Sequence, residues 1–259
     1  SIVGNGGNIS YNEVTNASNH GIFIDGYDQI IDGNKILSSM NYALYLGTMN
    51  GNTVTEANEL KGSCVVLYSN LIRTKENKKV IQNCEFTGGD IWNLDAAFNI
   101  ISSNNITFNS NRVSDELINN SKGIYIAYSK DISISNSNFI GLEMGIESYS
   151  NELLNIKDST FTNCKQGIVN LYSGDIIIEN NNFRNSAVAG INLADTVFFT
   201  IGENELRNDR DRDMLGSGIG VVVTNSIHGT ITNNEITGFD IAGMVYTTVS
   251  YLKTENNKI

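Results

Sequence analysis

The sequence contains no proline, only three cysteines, one tryptophan and two histidines among its 259 residues. Three cysteines, Cys64, Cys84 and Cys164, cannot form a complete disulfide framework, and their spacing matches no zinc site. The absence of proline, with only 24 glycines, excludes a collagen-like chain. No apolar run approaches the roughly 18 residues that a membrane-spanning helix needs, so we expect no membrane insertion.

Positive charge is also scarce: the sequence has 17 basic and 28 acidic residues, and its net charge is −11. Binding to nucleic acid or to an anionic membrane by bulk electrostatics is therefore not expected. What the chain has instead is 39 asparagines and 33 isoleucines. Isoleucine favours strands and asparagine favours turns, so the composition indicates an all-β protein with enough apolar side chains to fill a core.

A repeat runs through the whole sequence, in which an apolar anchor residue recurs at intervals of 22 to 30 residues. Asparagine stands two positions before eight of the eleven anchors, and Cys84, Ser137 and Ser159 stand there in the others. A small residue and, in most units, an apolar-x-apolar triplet follow the anchor, as in the segment 123–126. The anchors are Val14, Ile36, Leu60, Phe86, Val113, Phe139, Phe161, Phe183, Leu206, Ile236 and Ile259.

The length of this unit decides the fold class, since about 22 residues are too few for a strand and a full crossover helix. Three short strands wound into a coil fit the length, and the alternating apolar positions would point inward. Asparagine tolerates the left-handed backbone of a tight corner. Stacked coils would place equivalent asparagines roughly 4.8 Å apart, which predicts an asparagine ladder and a single-stranded parallel solenoid of about eleven coils.

The pattern Ile-x-Ile-x-Asn-Asn-x-Phe followed by Gly-Ile-x-Ile resembles the right-handed parallel β-helix repeat of the pectate-lyase-like superfamily. The resemblance covers essentially the whole chain. It implies a β-helix of the kind found in polysaccharide lyases, glycosidases, uronan epimerases, phage tailspikes and surface repeat proteins. A leucine-rich repeat fits worse, because isoleucine dominates and no segment has a helical pattern.

We expect one domain over residues 1–259, since no linker or change of composition divides the chain. The first eight residues are too few for a cap, and the chain stops within a repeat at Ile259. Because the open ends of a solenoid need protection, we expect a fragment of a longer chain or a partner at the ends. Flanking domains of the same chain or a homotrimer would provide that cover.

The predicted binding face is the outer side of the Gly-Ile-x-Ile strands. Long connections at 87–96, 114–122 and 207–217 would flank a compact stretch, 123–195, as the walls of a cleft. Tyrosine rings and amides in its outward positions suit the apolar faces and hydroxyls of sugars, although stacked tyrosines also stabilise a plain sheet. The substrate-binding residues that we predict are Tyr125, Tyr149, Tyr172, Asn192, Asn99 and Trp92.

Two inward positions on this face are polar, Ser148 and Asn170. A β-bulge there would change which of Asn170 and Leu171 is exposed, so the sequence leaves the local register open.

Candidate catalytic residues are Glu147, Glu143 and Asp195. Hydrolysis of a glycosidic bond needs two carboxyl groups roughly 5–10 Å apart, and Glu147 with Glu143 is the pair that best fits this spacing, whereas Asp195 is expected to lie farther away. The outward column contains no lysine or arginine, which disfavours a lyase or an epimerase. We expect no cofactor and no metal site, except that an anionic substrate would need bound Ca²⁺.

The sequence thus predicts recognition, and potentially hydrolysis, of an extracellular or capsular polysaccharide on the lateral face of a β-helix. The alternative is a non-catalytic β-helix: a surface adhesin, a sugar-binding module or the shaft of a phage tailspike. Both readings place the protein outside the cell, at a cell surface or on a virion.

Overall fold

A computed structural model gives the three-dimensional structure of the chain. It describes residues 96–114, 122–209 and 218–259 without a break. Before residue 96 it describes the segments 2–3, 7–19, 21–25, 30–32, 34–39, 42–46, 53–54, 59–61, 64–68, 79–82 and 85–87. No helix in this described part of the chain is long and apolar enough to cross a membrane.

All described strands belong to three parallel sheets that run along the molecule. The first sheet consists of Ile2–Val3, Ile22–Asp25, Tyr42–Leu46, Cys64–Tyr68, Ala96–Ile101, Lys122–Ala127, Met144–Tyr149, Gln166–Leu171, Ala189–Ala194, Ile219–Thr224 and Ala242–Thr247. The second sheet consists of Asn8–Ser10, Ile30–Asp32, Thr53–Val54, Lys79–Gln82, Asn104–Asn109, Lys130–Ser135, Glu152–Lys157, Gly174–Glu179, Val197–Gly202, Ile227–Thr232 and Ser250–Glu255. The third sheet consists of Glu13–Ala17, Lys35–Ser39, Glu59–Lys61, Glu85–Thr87, Arg112–Ser114, Asn138–Ile140, Thr160–Thr162, Asn182–Arg184, Glu205–Arg207 and Glu235–Thr237.

Each coil contributes one strand to each sheet in turn, so the chain is an all-β, right-handed parallel β-helix, as the sequence predicts. The predicted number of eleven coils is slightly off. Within the described residues, ten coils have strands in all three sheets, and the last lacks a strand in the third. The seven coils that begin with the strand Ala96–Ile101 contain most of the described side chains.

The interior is filled by columns of like residues. Ile124, Ile146 and Ile168 lie opposite one another in the first sheet and are fully buried. In the third sheet, Phe161 stacks on Phe139 with ring centroids 4.9 Å apart, and on Phe183 with centroids 4.7 Å apart. Such offset or parallel aromatic pairs add stabilisation beyond the apolar area that they bury.

A column of glycines makes room for these rings at the start of the first-sheet strands. A Cβ atom on Gly145 would lie 2.5 Å from the Phe161 ring and 2.6 Å from the carbonyl oxygen of Gly167. In the coils that carry Gly123, Gly145, Gly167, Gly190, Gly220 and Gly243, glycine is therefore required by the close approach of the chain.

The predicted asparagine ladder is present at the corner between the second and third sheets, which we call the second corner. Asn181, Asn204, Asn234 and Asn257 occupy equivalent places in four successive coils. The backbone N–H of Asn181 donates to Oδ1 of Asn204 at 2.9 Å, and that of Asn204 donates to Oδ1 of Asn234 at 3.0 Å. Buried backbone donors thus find partners in the neighbouring coil.

A second ladder, which the sequence analysis missed, lies at the corner between the first and second sheets, the first corner. The N–H of Ser129 donates to Oδ1 of Asn151 at 2.8 Å, and the N–H of Asn151 donates to Oγ of Ser173 at 3.1 Å. Thr196 continues the series by donating its N–H to Oγ of Ser226 at 3.1 Å. Asparagine and serine both accept these backbone hydrogen bonds, because each offers a side-chain oxygen at the same place.

The inward polar positions Ser148 and Asn170 cause no bulge. The two residues lie opposite each other in regular parallel register, and both are fully buried. Asn170 donates to Oγ1 of Thr196 at 2.9 Å, and Ser148 accepts a hydrogen bond from Asn151 at 2.8 Å. Leu171 is the residue that faces outward, so the register of this face is the regular one.

Candidate functional site

The predicted site residues on the first sheet lie in one column on its outer face. The register places Asn99 opposite Tyr125 and Tyr125 opposite Glu147. Val169 then separates Glu147 from Asn192. All of these side chains except Val169 are partly exposed, because the strand alternates between inward and outward positions.

A lysine that the sequence analysis did not place on this face pairs with the central acid. The Nζ atom of Lys122 lies 2.6 Å from Oε2 of Glu147, and the Lys122 ammonium group also lies 5.7 Å from the centre of the Tyr125 ring. The Glu147 side chain is 18% exposed, and Oε2 itself is shielded from solvent. The outward column itself contains no lysine or arginine, as the sequence analysis states, but Lys122 reaches its central acid from a neighbouring position.

The geometry of the strand explains how Lys122 reaches Glu147. Lys122 precedes Gly123 at the start of its strand, outside the outward column that contains Tyr125 and Glu147. Gly123 and Ile124 both face inward, which turns Lys122 outward again and toward the next coil.

A second polar pair has the same diagonal arrangement. Nδ2 of Asn192 donates to Oε1 of Gln166 at 3.3 Å, and Gln166 occupies the position in its strand that Lys122 occupies two coils earlier. On the described strands from Lys122–Ala127 to Ala189–Ala194, the outer face of the first sheet therefore carries a charged pair and an amide pair, separated by Val169. The opposite charges of Lys122 and Glu147 cancel each other.

The predicted tyrosines meet at the first corner. The ring of Tyr149 packs edge to face against Tyr172, with centroids 5.5 Å apart, and against Tyr128, with centroids 5.6 Å apart. Tyr172 is 58% exposed and Tyr128 is 62% exposed. Both have a left-handed backbone, with φ of 54° and 52°. We call Tyr128, Tyr149 and Tyr172 the tyrosine corner.

The three candidate catalytic acids occupy different parts of this region. Glu143 lies in a bend immediately before the strand Met144–Tyr149, in which Glu147 is the fourth residue. Asp195 lies at the first corner with φ of 51°, one coil beyond Tyr172. The pairing of Glu143 with Glu147 stays a prediction.

Some predicted features fall outside the described residues. Trp92 lies there, as do the central parts of the three connections that were predicted to form the walls of a cleft. No group of three or more His, Cys, Asp or Glu side chains is placed to hold a metal ion among the residues that the structure describes.

Solved structures with the same architecture include a streptococcal and a phage protein. The chain is similar to the surface protein and adhesin PfbA of Streptococcus pneumoniae, with 13% identity, a TM-score of 0.52, and coverage of 89% of this chain and 88% of that chain. It is also similar to the pre-mature gene product 12 of bacteriophage phi29, with 13% identity, a TM-score of 0.55, and coverage of 93% of this chain and 43% of that chain. At this identity the likeness is one of fold.

No protein of curated function matches the chain in sequence. The resemblance to the right-handed parallel β-helices of the pectate-lyase-like superfamily is confirmed by the sheet topology and by a family match. Residues 116–259, more than half of the chain, match the family described as the right handed beta helix region, and the chain belongs to that family.

Proposed function

We propose that the outer face of the first sheet and the tyrosine corner bind a polysaccharide chain. The observation that carries this proposal is the contact of three tyrosine rings, two of them more than half exposed, beside a column of amide and charged side chains. Aromatic rings offer flat apolar surface to the C–H faces of sugars, and amides bond to their hydroxyls.

In this proposal, Tyr172 and Tyr149 supply the stacking surface. Asn192 and Asn99 bond to hydroxyl groups, and Tyr125 adds a ring beside the Lys122–Glu147 pair. Because that pair is neutral as a unit, the face suits an uncharged stretch of the chain. An anionic substrate would instead need Ca²⁺ to screen the excess negative charge of the protein.

We further propose that the bound polysaccharide is cleaved on this face. Glu147 would act as base or nucleophile, because it is the central acid of the outward column that is proposed to contact the sugar. Glu143 would then be the general acid, and Asp195 would bind sugar at the tyrosine corner instead of reacting. The Lys122–Glu147 ion pair favours the second candidate function, a non-catalytic sugar-binding surface of an adhesin or spike, because Glu147 already has a structural partner.

Either function would place the protein outside the cell, on a cell surface or on a virion. There, flanking domains or two further copies of the chain would complete the assembly. Sedimentation of the purified chain at several concentrations measures whether it forms the trimer that a spike would require.

The binding proposal is tested by replacing one exposed ring. We expect Tyr172→Ala to weaken binding to the best ligand of a bacterial polysaccharide panel about tenfold, because it removes stacking surface. The matched control is Tyr11→Ala: Tyr11 is also exposed and left-handed, with φ of 55°, but it lies at the second corner. Equal affinities of the two variants would contradict the proposal.

Cleavage is tested separately by the release of reducing ends. Glu147→Gln is expected to abolish release while leaving binding measurable, if the face is a hydrolase site. Absence of release by the unmodified protein, with binding retained, would establish the non-catalytic alternative.

A further inference from the structure

The outer face of the second sheet forms an open groove of about 710 Å³ that the first-sheet site does not use. Six successive coils line it, from the strand Asn104–Asn109 to the strand Ile227–Thr232. Each coil contributes the second and fourth residues of its strand to the lining. The second residues of the strands form one side of the groove, which we call the wall, and the fourth residues form its base, which we call the floor. At a coil spacing of about 4.8 Å, the groove is long enough for several units of a linear polymer.

The wall exists because each of these strands bends at its second residue. Leu153 and Phe198 have φ of 56° and 55°, the left-handed conformation that Asp and Asn adopt more easily. The bend places their side chains beside the floor, and they are 42% and 54% exposed. Two apolar side chains thus occupy strained, exposed positions where a polar turn residue would be easier to accommodate.

One aromatic ring in the wall is held in a fixed orientation. Phe198 stacks on His228 with ring centroids 5.1 Å apart, and His228 stacks on Tyr251 with centroids 4.7 Å apart. On its other side, the preceding coil carries Asp175 at the same wall position, so no ring continues the stack there. The Phe198 side chain is 54% exposed, and a pyranose ring has the flat C–H surface to cover its exposed part.

The floor is rich in hydroxyl and amide groups, including Thr107, Ser133, Asn155 and Thr200, with the apolar Ile177 among them. Oδ1 of Asn155 is buried and makes no hydrogen bond in the structure. An unmade bond to a buried acceptor is unfavourable, and a small rotation of the amide toward a ligand hydroxyl would satisfy it.

The negative charge of the groove disfavours anionic sugars. Asp131 and Asp175 are in the wall, and no lysine or arginine is among the described residues that line the groove. The lysine adjacent to Asp131, Lys130, is paired with Glu152 at 2.9 Å. A chain of uronic acids or sulfated sugars would therefore be repelled.

From these features we infer a second glycan-binding site, independent of the first sheet, that takes an uncharged oligosaccharide lying along the long axis of the β-helix. The ring of Phe198 and the side chain of Leu153 form its apolar contacts. The floor forms its hydrogen bonds to sugar hydroxyls.

Methyl NMR titration tests this site directly, because Leu153 and Ile177 place methyl groups in the groove. The probes are uncharged oligosaccharides of glucose, xylose and N-acetylglucosamine, with oligomers of galacturonate as the anionic comparison. We expect at least one uncharged series to shift both methyl signals saturably, and the galacturonate series to leave them in place.

Two variants separate binding from folding. Phe198→Ala is expected to weaken binding about tenfold, and Leu153→Asn by a similar factor with an unchanged or higher melting temperature, because Asn tolerates the left-handed backbone. Tyr251→Ala is the matched control: it removes the outer ring of the stack, which does not line the groove, and should change the affinity by less than a factor of about two.

Three results would overturn the inference. The first is that no uncharged series shifts the groove methyls, and the second is that galacturonate shifts them as strongly. The third is that the methyls respond to protein concentration while the molar mass rises, which would make a second copy of the chain the occupant. Tyr172→Ala should leave the groove titration unchanged, so failure of the first-sheet proposal and failure of this one are distinguishable.

Discussion

Two stretches of the second corner solve the same problem with different side chains. In the coils that carry Asn181, Asn204 and Asn234, each amide bonds to the coils on both sides. Oδ1 of Asn204 accepts from the N–H of Asn181 at 2.9 Å, and Nδ2 of Asn204 donates to Oδ1 of Asn234 at 3.0 Å and to the carbonyl oxygen of Ile178 at 2.9 Å. One side chain therefore joins three coils.

Serine replaces asparagine in the two coils at Ser137 and Ser159. Oγ of Ser159 accepts from the N–H of Ser137 at 3.2 Å, but its own proton goes to the carbonyl oxygen of Lys157 in the same coil. The comparison shows that the corner requires an oxygen for a buried N–H, while the amide nitrogen supplies additional bonds between coils. The serine coils are also those that carry Tyr125 and Glu147.

The largest expected effect is the loss of an amide from the asparagine stretch. We expect Asn204→Ala to lower the free energy of unfolding by about 2–4 kcal/mol, because it removes several buried hydrogen bonds and leaves the N–H of Asn181 without an acceptor. Urea unfolding followed by circular dichroism measures the change. A loss below about 1 kcal/mol would show that the amide ladder adds little to the backbone bonds of the sheets.

A smaller loss is expected when the serine stretch is broken. Ser159→Ala removes one acceptor and one bond within the coil, so the free energy of unfolding should fall by about 1 kcal/mol. The same urea titration applies, with Asn204→Ala as the reference. If the two substitutions cost the same, the bonds between coils made by the amide do not explain the difference between the stretches.

The smallest effect, and one of opposite sign, is expected from extending the asparagine stretch. Ser159→Asn should raise the free energy of unfolding by about 0.5–1 kcal/mol, because the new amide can donate to the carbonyl oxygen of Ile134, as Asn181 does to that of Ile156. Destabilisation by this substitution would mean that the serine coils are too narrow at the corner for an amide.

Much of the fold could be predicted because equivalent positions of the repeat carry similar residues, which have the same structural role in successive coils. Phe139, Phe161 and Phe183 align in sequence and are stacked in the structure. The first-corner ladder was missed because its equivalent positions are occupied by different residue types, as at Ser129, Asn151 and Thr196. Each type has a side-chain oxygen, but no single residue type repeats in the sequence.

The candidate site was harder to predict because its contacts cross from one column of positions to another. Lys122 is the first residue of its strand, and Glu147 is the fourth residue of the next first-sheet strand. A comparison of equivalent strand positions therefore does not predict that these two side chains form a pair. The left-handed bends at Leu153 and Phe198 were not predicted either, because leucine and phenylalanine are not turn residues.

The likeness of neighbouring coils has an evolutionary consequence. If one whole coil were deleted, for example the one that contains Phe183, Phe161 would meet Leu206, another apolar residue at the same place. The molecule would become about 4.8 Å shorter while its remaining layers kept equivalent neighbours. Duplication or deletion of complete units can therefore change the length of such a protein, whereas a single-residue insertion within a strand would disrupt the alignment on both sides of it.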